Sequence, residues 1–161
     1  MSDMPLFSIS APPCLVRRAD GKDAATIEAL YRELVSDAHV HVQAGHIAAL
    51  AESPTSFLLV AEIDGTVYAT ALLTLCPDAM YGTQPFGVIE NIIVTHTMRG
   101  HGLGRSLMSH MEQIAAKLHC SKLMLLSSQA RHKAHAFFEW CGFSSEAKHA
   151  FVKYRRQFAE A

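Results

Sequence analysis

Three glycines and two arginines are concentrated in the stretch 99–105 of this 161-residue chain. The stretch separates a β-rich run from a run with helical periodicity, so we expect it to lead from a strand into the N-terminus of a helix. Such a turn directs unpaired backbone N–H groups and the positive end of the helix dipole towards one point. Glycine leaves the backbone open to an anion, and guanidinium groups match phosphate geometry. The stretch is therefore suited to bind phosphate through Gly100, Gly102 and Gly104, flanked by Arg99 and Arg105.

The spacing of these glycines excludes two common nucleotide motifs. A P-loop requires Lys-Ser or Lys-Thr after its last glycine, and neither dipeptide occurs in the chain. A Rossmann fingerprint requires G-x-G-x-x-G, whereas the glycines here read G-x-G-x-G. A tight strand-to-helix turn that binds no ligand is the alternative reading.

Glu90 is a second candidate for chemistry, because it is the one carboxylate in the otherwise apolar run VIENIIV. A carboxylate inside such a strand should either have a partner or face a cleft. A structural glutamate, at an edge or in a salt bridge, is the alternative to a catalytic one.

Periodicity and turn chemistry predict the elements that position these residues. Helices are predicted over 20–35, 42–53, 103–118 and 131–143. Asp20 is the candidate N-cap of the first helix, and Gly142 the candidate C-cap of the last. Two β-rich runs within 56–76 flank the hairpin signal Asp64-Gly65, and an exposed loop follows over 77–87. Further strands are predicted over 14–19, 88–95, 121–128 and 149–156.

With these elements in place, the sequence resembles the GNAT superfamily of acyl-CoA-dependent N-acyltransferases over residues 14–156. Its core motif, [QR]-x-x-G-x-[GA], is matched by RGHGLG at 99–104. IENIIV precedes the motif, as the fourth strand of the family does, and AHAFFEWCGF resembles the family's A-x-x-F-Y-E-x-x-G-F helix. The resemblance implies a mixed α/β fold in which about four helices flank a twisted, splayed mixed sheet of about six to seven strands. One domain over 14–157 would follow a flexible lead-in over 1–13 and precede a tail over 158–161.

The resemblance also implies a binding site for acetyl-CoA. The glycine stretch would hold the pyrophosphate of the coenzyme through backbone N–H groups. The strand before it would pair with the pantetheine arm, and one of its N–H groups would polarise the thioester carbonyl. The basic residues at 131–133 could meet the phosphates or simply be solvated. The expected coenzyme-binding residues are Ile92, Ile93, Val94, Arg99, Gly100, His101, Gly102, Leu103, Gly104, Arg105, Arg131 and Lys133.

Acetyl transfer to an amine requires a group that removes a proton from the ammonium, whose pKa is about 10 by analogy with lysine. Glu90 is the candidate general base, acting directly or through a water. We expect burial to raise the pKa of its carboxyl group towards a value useful for proton transfer. The place of Glu90 nine residues before the motif arginine resembles that of a glutamate in glucosamine-phosphate acetyltransferases, which does not imply the same substrate.

The sequence departs from the family where the family's usual general acid, a tyrosine, would stand, because Phe138 occupies that position. Phe138 falls in the apolar stripe of its helix and is expected in the core. A thiol has a pKa of about 8.5, so the leaving thiolate can depart without an acid. Otherwise Tyr81 in the 77–87 loop, Ser128 or a water would supply the proton.

Composition excludes several classes of function. A formal net charge of −1 does not favour nucleic-acid binding, and no apolar run is long enough to span a membrane. The N-terminal residues lack a signal peptide, and the four cysteines match no zinc pattern, so we expect a soluble cytoplasmic protein with reduced thiols. A metal site is not expected, although His39, His41 and His46 are clustered.

Three functional hypotheses follow from these residues. The first is an acetyl-CoA-dependent N-acetyltransferase that acts on a primary amine, with a small-molecule acceptor. The second is an acetyltransferase that acts on a protein or peptide amine. The third is a catalytically silent acyl-CoA-binding module, which the phenylalanine at position 138 allows. A homodimer is compatible with this architecture.

Overall fold

A computed structural model describes residues 13–159, so residues 1–12 of the predicted lead-in and residues 160–161 of the predicted tail lie outside the described residues. Within that range the chain forms five strands and four α-helices, besides 3-10 turns. The elements, in chain order, are β1 (Leu15–Arg18), α1 (Ala24–Leu34), α2 (Ala44–Ala51), β2 (Ser56–Ile63), β3 (Thr66–Cys76), β4 (Phe86–Val94), α3 (Leu103–Lys117), β5 (Leu123–Leu125) and α4 (His132–Trp140).

The five strands form one mixed sheet in the order β1-β2-β3-β4-β5. The first three pairings are antiparallel. The bonds from the Ser121 N–H to the Pro85 carbonyl (2.8 Å) and from the Gly87 N–H to the Lys122 carbonyl (2.9 Å) advance in the same direction along both segments. Because α3 provides the crossover between them, β4 and β5 are a parallel pair. The predicted mixed α/β class with four helices is confirmed, with fewer strands than expected.

The β2–β3 hairpin turns at the predicted dipeptide. Asp64 and Gly65 have φ values of +50° and +77°, the left-handed pair that a two-residue type I′ turn requires. The register then pairs Ile63 with Thr66 and continues along both strands, with one irregularity at Ala61/Glu62. Local turn chemistry therefore sets the register of the two central strands.

Helices cover the two faces of the sheet differently. On one face, Ile27 of α1 and Ile47 of α2 pack with Leu58 and Val60 of β2. The residues that alternate with these along the strands point to the opposite face of the sheet. On that face α3 contacts β2, β3 and β4. The buried residues of α3 that supply this second contact are Leu103, Leu107, Met108, Met111 and Ala115.

Asp20 is an N-cap, but it caps a 3-10 turn over Gly21–Asp23 that leads into α1, and not the continuous helix that the sequence predicts. Its side chain accepts from the Lys22 N–H, and the buried Asp23 carboxylate accepts from the Asp20 N–H at 2.9 Å. Arg17 of β1 donates two hydrogen bonds to Asp23, at 2.8 and 3.0 Å. The guanidinium of Arg17 lowers the pKa of Asp23 against the opposing effect of burial. This paired charge fixes the start of α1 against the edge of the sheet.

Arg18 of β1 binds the C-terminal end of α2. Its guanidinium lies 4.1 Å from the centre of the Phe57 ring, an arrangement that favours a cation–π contact. It also donates to carbonyl groups at the end of α2 and in the turn that follows, with distances of 2.9–3.3 Å to Leu50, Ala51, Ser53 and Ser56. The last carbonyl groups of a helix have no intrahelical partner, and here a single arginine side chain supplies hydrogen bonds to several of them.

The strand predicted over 149–156 is wrong. Residues 149–154 are irregular and are followed by a 3-10 turn over Arg155–Gln157. The alternating apolar residues that suggested a strand are exposed, and Phe151 is 93% accessible. A strand needs a partner for its backbone groups, and none of the described segments pairs with this one. Contacts divide the chain into two compact units, 1–124 and 125–161, and this segment belongs to the second.

None of the helices within residues 13–159 combines the length and apolar character needed to cross a membrane.

Candidate active site

The glycine loop has the backbone that anion binding requires. Gly100 and Gly102 adopt φ values of +80° and +84°, a region that favours glycine, and a Cβ atom at either position would meet nothing within 4 Å. Gly102 is the N-cap of α3, and no side chain caps the helix. The first intrahelical bond is that from the Ser106 N–H to the Gly102 carbonyl, at 2.9 Å. A helix N-terminus that begins at a glycine and is preceded by another glycine with room beside it fits the phosphates of a coenzyme.

The basic side chains of this loop are at the surface. Arg99 is exposed and donates from Nε to the Val94 carbonyl at 3.3 Å, which folds its side chain back along the loop. The exposed His101 ring places Nδ1 3.1 Å from the Arg99 carbonyl oxygen. Beyond the loop, a shallow depression of about 300 Å³ on the outer surface of α3 is lined by Arg105, Ser106, Ser109, His110 and Gln113.

A β-bulge interrupts β4 at Asn91 and Ile92, where the residues expected to meet the pantetheine arm begin. Leu72 pairs with Glu90 and Thr70 pairs with Ile93, so Asn91 and Ile92 together oppose the single residue between them on β3. Asn91 has a φ of +54°, which is uncommon outside glycine. A bulge leaves backbone groups outside the ladder, so this part of the strand has N–H groups to offer a ligand.

β5 is too short to pair with all of β4. It contains three residues, and its pairing starts at the level of Pro85 and Gly87. In a parallel pair that advances in step, three residues reach about as far as Glu90. The segment from Asn91 to the end of β4 therefore extends beyond β5, as the predicted splay of the sheet requires.

Tyr31 of α1 supports the bulge from the helical layer. It packs against the cluster formed by Ile27 and Leu58, and its hydroxyl forms a hydrogen bond with the Asn91 side chain. Burial raises the pKa of Tyr31, and the hydrogen bond with Asn91 opposes that shift. Sequence reasoning missed both residues, although an asparagine inside an apolar strand was a weak signal for a left-handed backbone position.

Glu90 lies on the face of the sheet that carries α1 and α2. Directly opposed residues of an antiparallel pair point to the same face, and Glu90 opposes Leu72, which packs against the Ile27–Ile47 cluster. The expectation that Glu90 is buried is wrong, because its side chain is exposed. Although α1 contacts β4, neither α1 nor α2 buries this side chain. Within residues 13–159 its carboxylate has no hydrogen bond or ion pair, so the structural role in a salt bridge is not observed.

The neighbours of Glu90 on this face are also accessible. We call this surface the open face and define it as Thr74, Cys76, Phe86, Val88 and Glu90, which are partly or fully exposed. Pairing places Cys76 opposite Phe86 and Thr74 opposite Val88. The intervening residues Leu73, Leu75 and Ile89 point to the α3 side and are buried. The sheet therefore presents a partly accessible, mostly apolar surface that ends in an exposed carboxylate.

Tyr81 lies in the loop that joins the far end of β3 to β4. Its side chain is 65% accessible, and the Gln84 N–H donates to its carbonyl oxygen at 3.2 Å. The loop joins β4 at Phe86, four residues or about 13 Å along the strand from Glu90. No hydrogen bond within the described part of the chain connects the Tyr81 hydroxyl to Glu90.

Glu33 ties the C-terminal end of α1 to the segment that follows β4. Its carboxylate accepts from the Thr95 hydroxyl at 2.7 Å and from the His96 N–H at 3.1 Å. Partial burial opposes these hydrogen bonds, which nevertheless lower the pKa of Glu33. The entrance to the glycine loop is therefore held by the same helix that contacts the bulge.

The second unit contains the remaining predicted residues. Phe138 is buried, with its ring 5.6 Å from that of Phe137, which agrees with a packing role. Arg131 precedes α4, and the exposed Lys133 lies in its first turn, so their contact with the coenzyme stays a prediction. The carbonyl of the exposed Ser128 accepts from the Arg131 N–H at 3.0 Å, and the His135 ring nitrogen Nε2 lies 2.9 Å from it.

Two of the clustered histidines lie beside carboxylates of α1 or of the loop that follows it. The His39 ring is 2.9 Å from Asp37, and the His41 ring is 3.8 Å from Glu28. Among residues 13–159, no three His, Cys, Asp or Glu side chains are arranged to hold a metal ion. These rings are exposed, so they are accessible to an acceptor or to solvent.

The chain resembles known proteins in sequence. The sequence profile of the Acetyltransferase (GNAT) family matches residues 25–143. Glucosamine 6-phosphate N-acetyltransferase of Trypanosoma brucei brucei is 31% identical over 84 residues, which are 52% of this chain and 55% of that protein. The matched stretch thus spans about half the length of this curated relative.

Solved structures resemble the chain over most of its length. A protein from Agrobacterium tumefaciens str. C58 that is named as an acetyltransferase is 28% identical, with a TM-score of 0.77 over 87% of this chain and 99% of that one. The aminoglycoside N-acetyltransferase AAC(6')-Iy, solved in complex with CoA, is 14% identical, with a TM-score of 0.75 over 92% of this chain and 99% of that one. At that identity, the second likeness concerns the fold alone.

Proposed function

The chain belongs to the GNAT acetyltransferase family, and from this premise we propose that it transfers the acetyl group of acetyl-CoA directly to a primary amine of a small molecule. The observation that carries the proposal is the sequence of features along β4. An exposed carboxylate at Glu90 is followed at once by the bulge at Asn91, and the strand then leads into the N-terminus of α3, whose N-cap is a glycine.

In the proposed reaction, the amine nitrogen attacks the thioester carbonyl, a C–N bond forms and the C–S bond breaks. Glu90 takes the proton that the ammonium loses, directly or through a water. An N–H of the bulged strand, from Ile92, Ile93 or Val94, stabilises the negative charge on the carbonyl oxygen. As the amide forms, the nitrogen loses its second proton to solvent, and the departing thiolate takes a proton from solvent or from Tyr81, which solvent then reprotonates. Once Glu90 has released its own proton, one ammonium and one thioester have become one amide, one thiol and one proton.

The coenzyme is proposed to lie with its pyrophosphate on the N–H groups of the glycine loop. Arg99, His101 and Arg105 would add charge from the surface. The open backbone at Gly100 and Gly102 supports this proposal, because a phosphate can approach it without meeting a side chain.

Acetyl transfer is tested by measuring thiol release from acetyl-CoA with a panel of aminoglycosides, polyamines, amino acids, amino sugars and peptides. Turnover with a small amine supports the proposal, and turnover with peptides alone would favour the protein acetyltransferase. Tight binding of CoA without turnover on any amine would favour the catalytically silent module.

The role of Glu90 is tested by Glu90→Gln, with Glu112→Gln on the exposed surface of α3 as the matched control. Loss of a general base lowers kcat by about 10²- to 10⁴-fold, and KM for acetyl-CoA should stay near the wild-type value. An unchanged kcat and an unchanged pH–rate profile would exclude Glu90 as the base.

The coenzyme site is tested by Gly102→Glu, with Gly65→Glu as the control. Both glycines have positive φ and room for a Cβ atom, so the backbone strain is similar. Only the change at Gly102 places a negative charge before the N-terminus of α3. Calorimetric titration should show loss of CoA binding for Gly102→Glu alone, and equal affinity in both folded variants would contradict the loop assignment.

A further inference from the structure

The open face carries opposite charges at its two ends. Glu90 lies at one end, and the ammonium of Lys122 lies over the ring of Phe86 at the other, with Nζ 5.0 Å from the ring centre. Glu90 lies four positions after Phe86 on β4, and the two side chains point to the same face. The Cα atoms of these two residues are therefore about 13 Å apart along the strand.

Backbone hydrogen bonds fix the position of Lys122. Its carbonyl accepts from the Gly87 N–H at 2.9 Å, and the preceding Ser121 N–H donates to the Pro85 carbonyl at 2.8 Å. These two bonds anchor Lys122 beside the first residues of β4. Among residues 13–159 no carboxylate forms an ion pair with Lys122, so its charge is not neutralised by the described part of the chain.

The surface between the two charges is suited to a short, extended ligand. Val88 and Cys76 contribute apolar area, and Thr74 contributes one hydroxyl. An acceptor that places its amine at Glu90 and lies along this surface brings its other end to Lys122. A cation there would be repelled, whereas a phosphate or carboxylate would gain a charge-assisted hydrogen bond.

We propose that Lys122 is a specificity-determining residue, and that the acceptor is a small amine with an anionic group within about 13 Å of the reacting nitrogen. This inference rests on the proposed function, because it takes Glu90 as the end at which the amine reacts. The anionic group is a phosphate or a carboxylate, and the experiment distinguishes these two sources.

The test uses two pairs of acceptors that differ in the anionic group. Triglycine and triglycine amide differ in a carboxylate, and glucosamine 6-phosphate and glucosamine differ in a phosphate. kcat/KM is measured with each for the wild type, Lys122→Gln, Lys122→Arg and the control Lys117→Gln, which removes an exposed lysine at the end of α3.

We expect the wild type to prefer the anionic member of at least one pair by about 10- to 100-fold, the worth of one charged hydrogen bond. Lys122→Gln should reduce that preference to near unity, with KM for acetyl-CoA unchanged, while Lys122→Arg and Lys117→Gln retain it. The pair that shows the preference identifies the anion.

Three results would overturn the inference. The wild type could acetylate both members of each pair equally well, or it could prefer the neutral members. Lys122→Gln could also leave the preference intact. In each of these cases the proposed function survives, because transfer is still observed. Absence of transfer to every acceptor, here and in the wider panel, contradicts the proposed function itself and this inference with it.

Discussion

Gly87 is expected to be the position in β4 at which the smallest substitution does the most damage. A Cβ atom added there would lie 2.6 Å from Cδ2 of Leu123 and 3.1 Å from Cδ1 of Leu73. The first distance is far inside van der Waals contact, and Leu73 is fully buried. Leu123 is only partly buried and its Cδ2 is the end of a flexible side chain, so it can shift more easily than Leu73. We therefore expect Gly87→Ala to lower the free energy of unfolding by about 1 kcal/mol, the lower end of the range for overpacking. For a chain of this size, each kcal/mol corresponds to a fall in Tm of about 2–4 °C.

The matched control is Gly45→Ala, because an added Cβ atom in this exposed turn of α2 meets nothing within 4 Å. Alanine is the better helix former, so this variant should be unchanged or more stable by up to about 1 kcal/mol. Both variants are compared by denaturant unfolding, in the wild-type background and in Leu123→Ala, which removes the nearer obstructing atom. The cost of Gly87→Ala should shrink in that background. A Gly87→Ala variant as stable as Gly45→Ala would refute the reasoning.

Three further perturbations test the supports of the site. Arg18→Met should destabilise the chain by about 2–4 kcal/mol, because several carbonyl groups lose their donor, whereas Arg32→Met, in an exposed helical pair, should cost less than 1 kcal/mol in the same unfolding assay. Arg17 holds the pKa of Asp23 below its ordinary value of 3.8, so the ionised carboxylate stabilises the folded chain. That stabilisation is complete above about pH 4 and is lost as pH falls through the lower pKa of the folded state. In a plot of Tm against pH, Asp23→Asn should therefore flatten the acid limb. Tyr31→Phe should cost about 1 kcal/mol in unfolding and lower kcat more than it changes KM for acetyl-CoA; an unchanged kcat would show that its hydrogen bond does not position the bulge.

Features that depend on a few adjacent residues were predictable from the sequence. Asp64-Gly65 fixed the hairpin, since only certain residues tolerate two successive left-handed positions. The glycine loop was predictable for the same reason, and its place between a strand and a helix followed from periodicity. Alternation along VIENIIV also implied that Glu90 points away from Ile89, as observed.

Features that depend on distant segments were not predictable. Whether Glu90 is buried depends on how far α1 and α2 reach across the sheet, and its own strand carries no information on that. The segment 149–156 has the alternation of a strand, yet a strand forms only where another backbone is available to pair with it. The hydrogen bond between Tyr31 and Asn91 joins residues 60 positions apart, and neither residue alone indicates it.

The two faces of the sheet differ in how strongly folding constrains their residues. Residues on the α3 side, such as Leu73 and Ile89, are fully enclosed, so nearly every change there affects folding. Residues of the open face carry less of that constraint, because Thr74, Cys76 and Val88 are only partly buried. A combinatorial library at Thr74, Cys76 and Val88 should therefore yield mostly folded variants that differ in acceptor choice. One strand pair thus holds both the part of the molecule that mutation must spare and the part through which new substrates can be acquired.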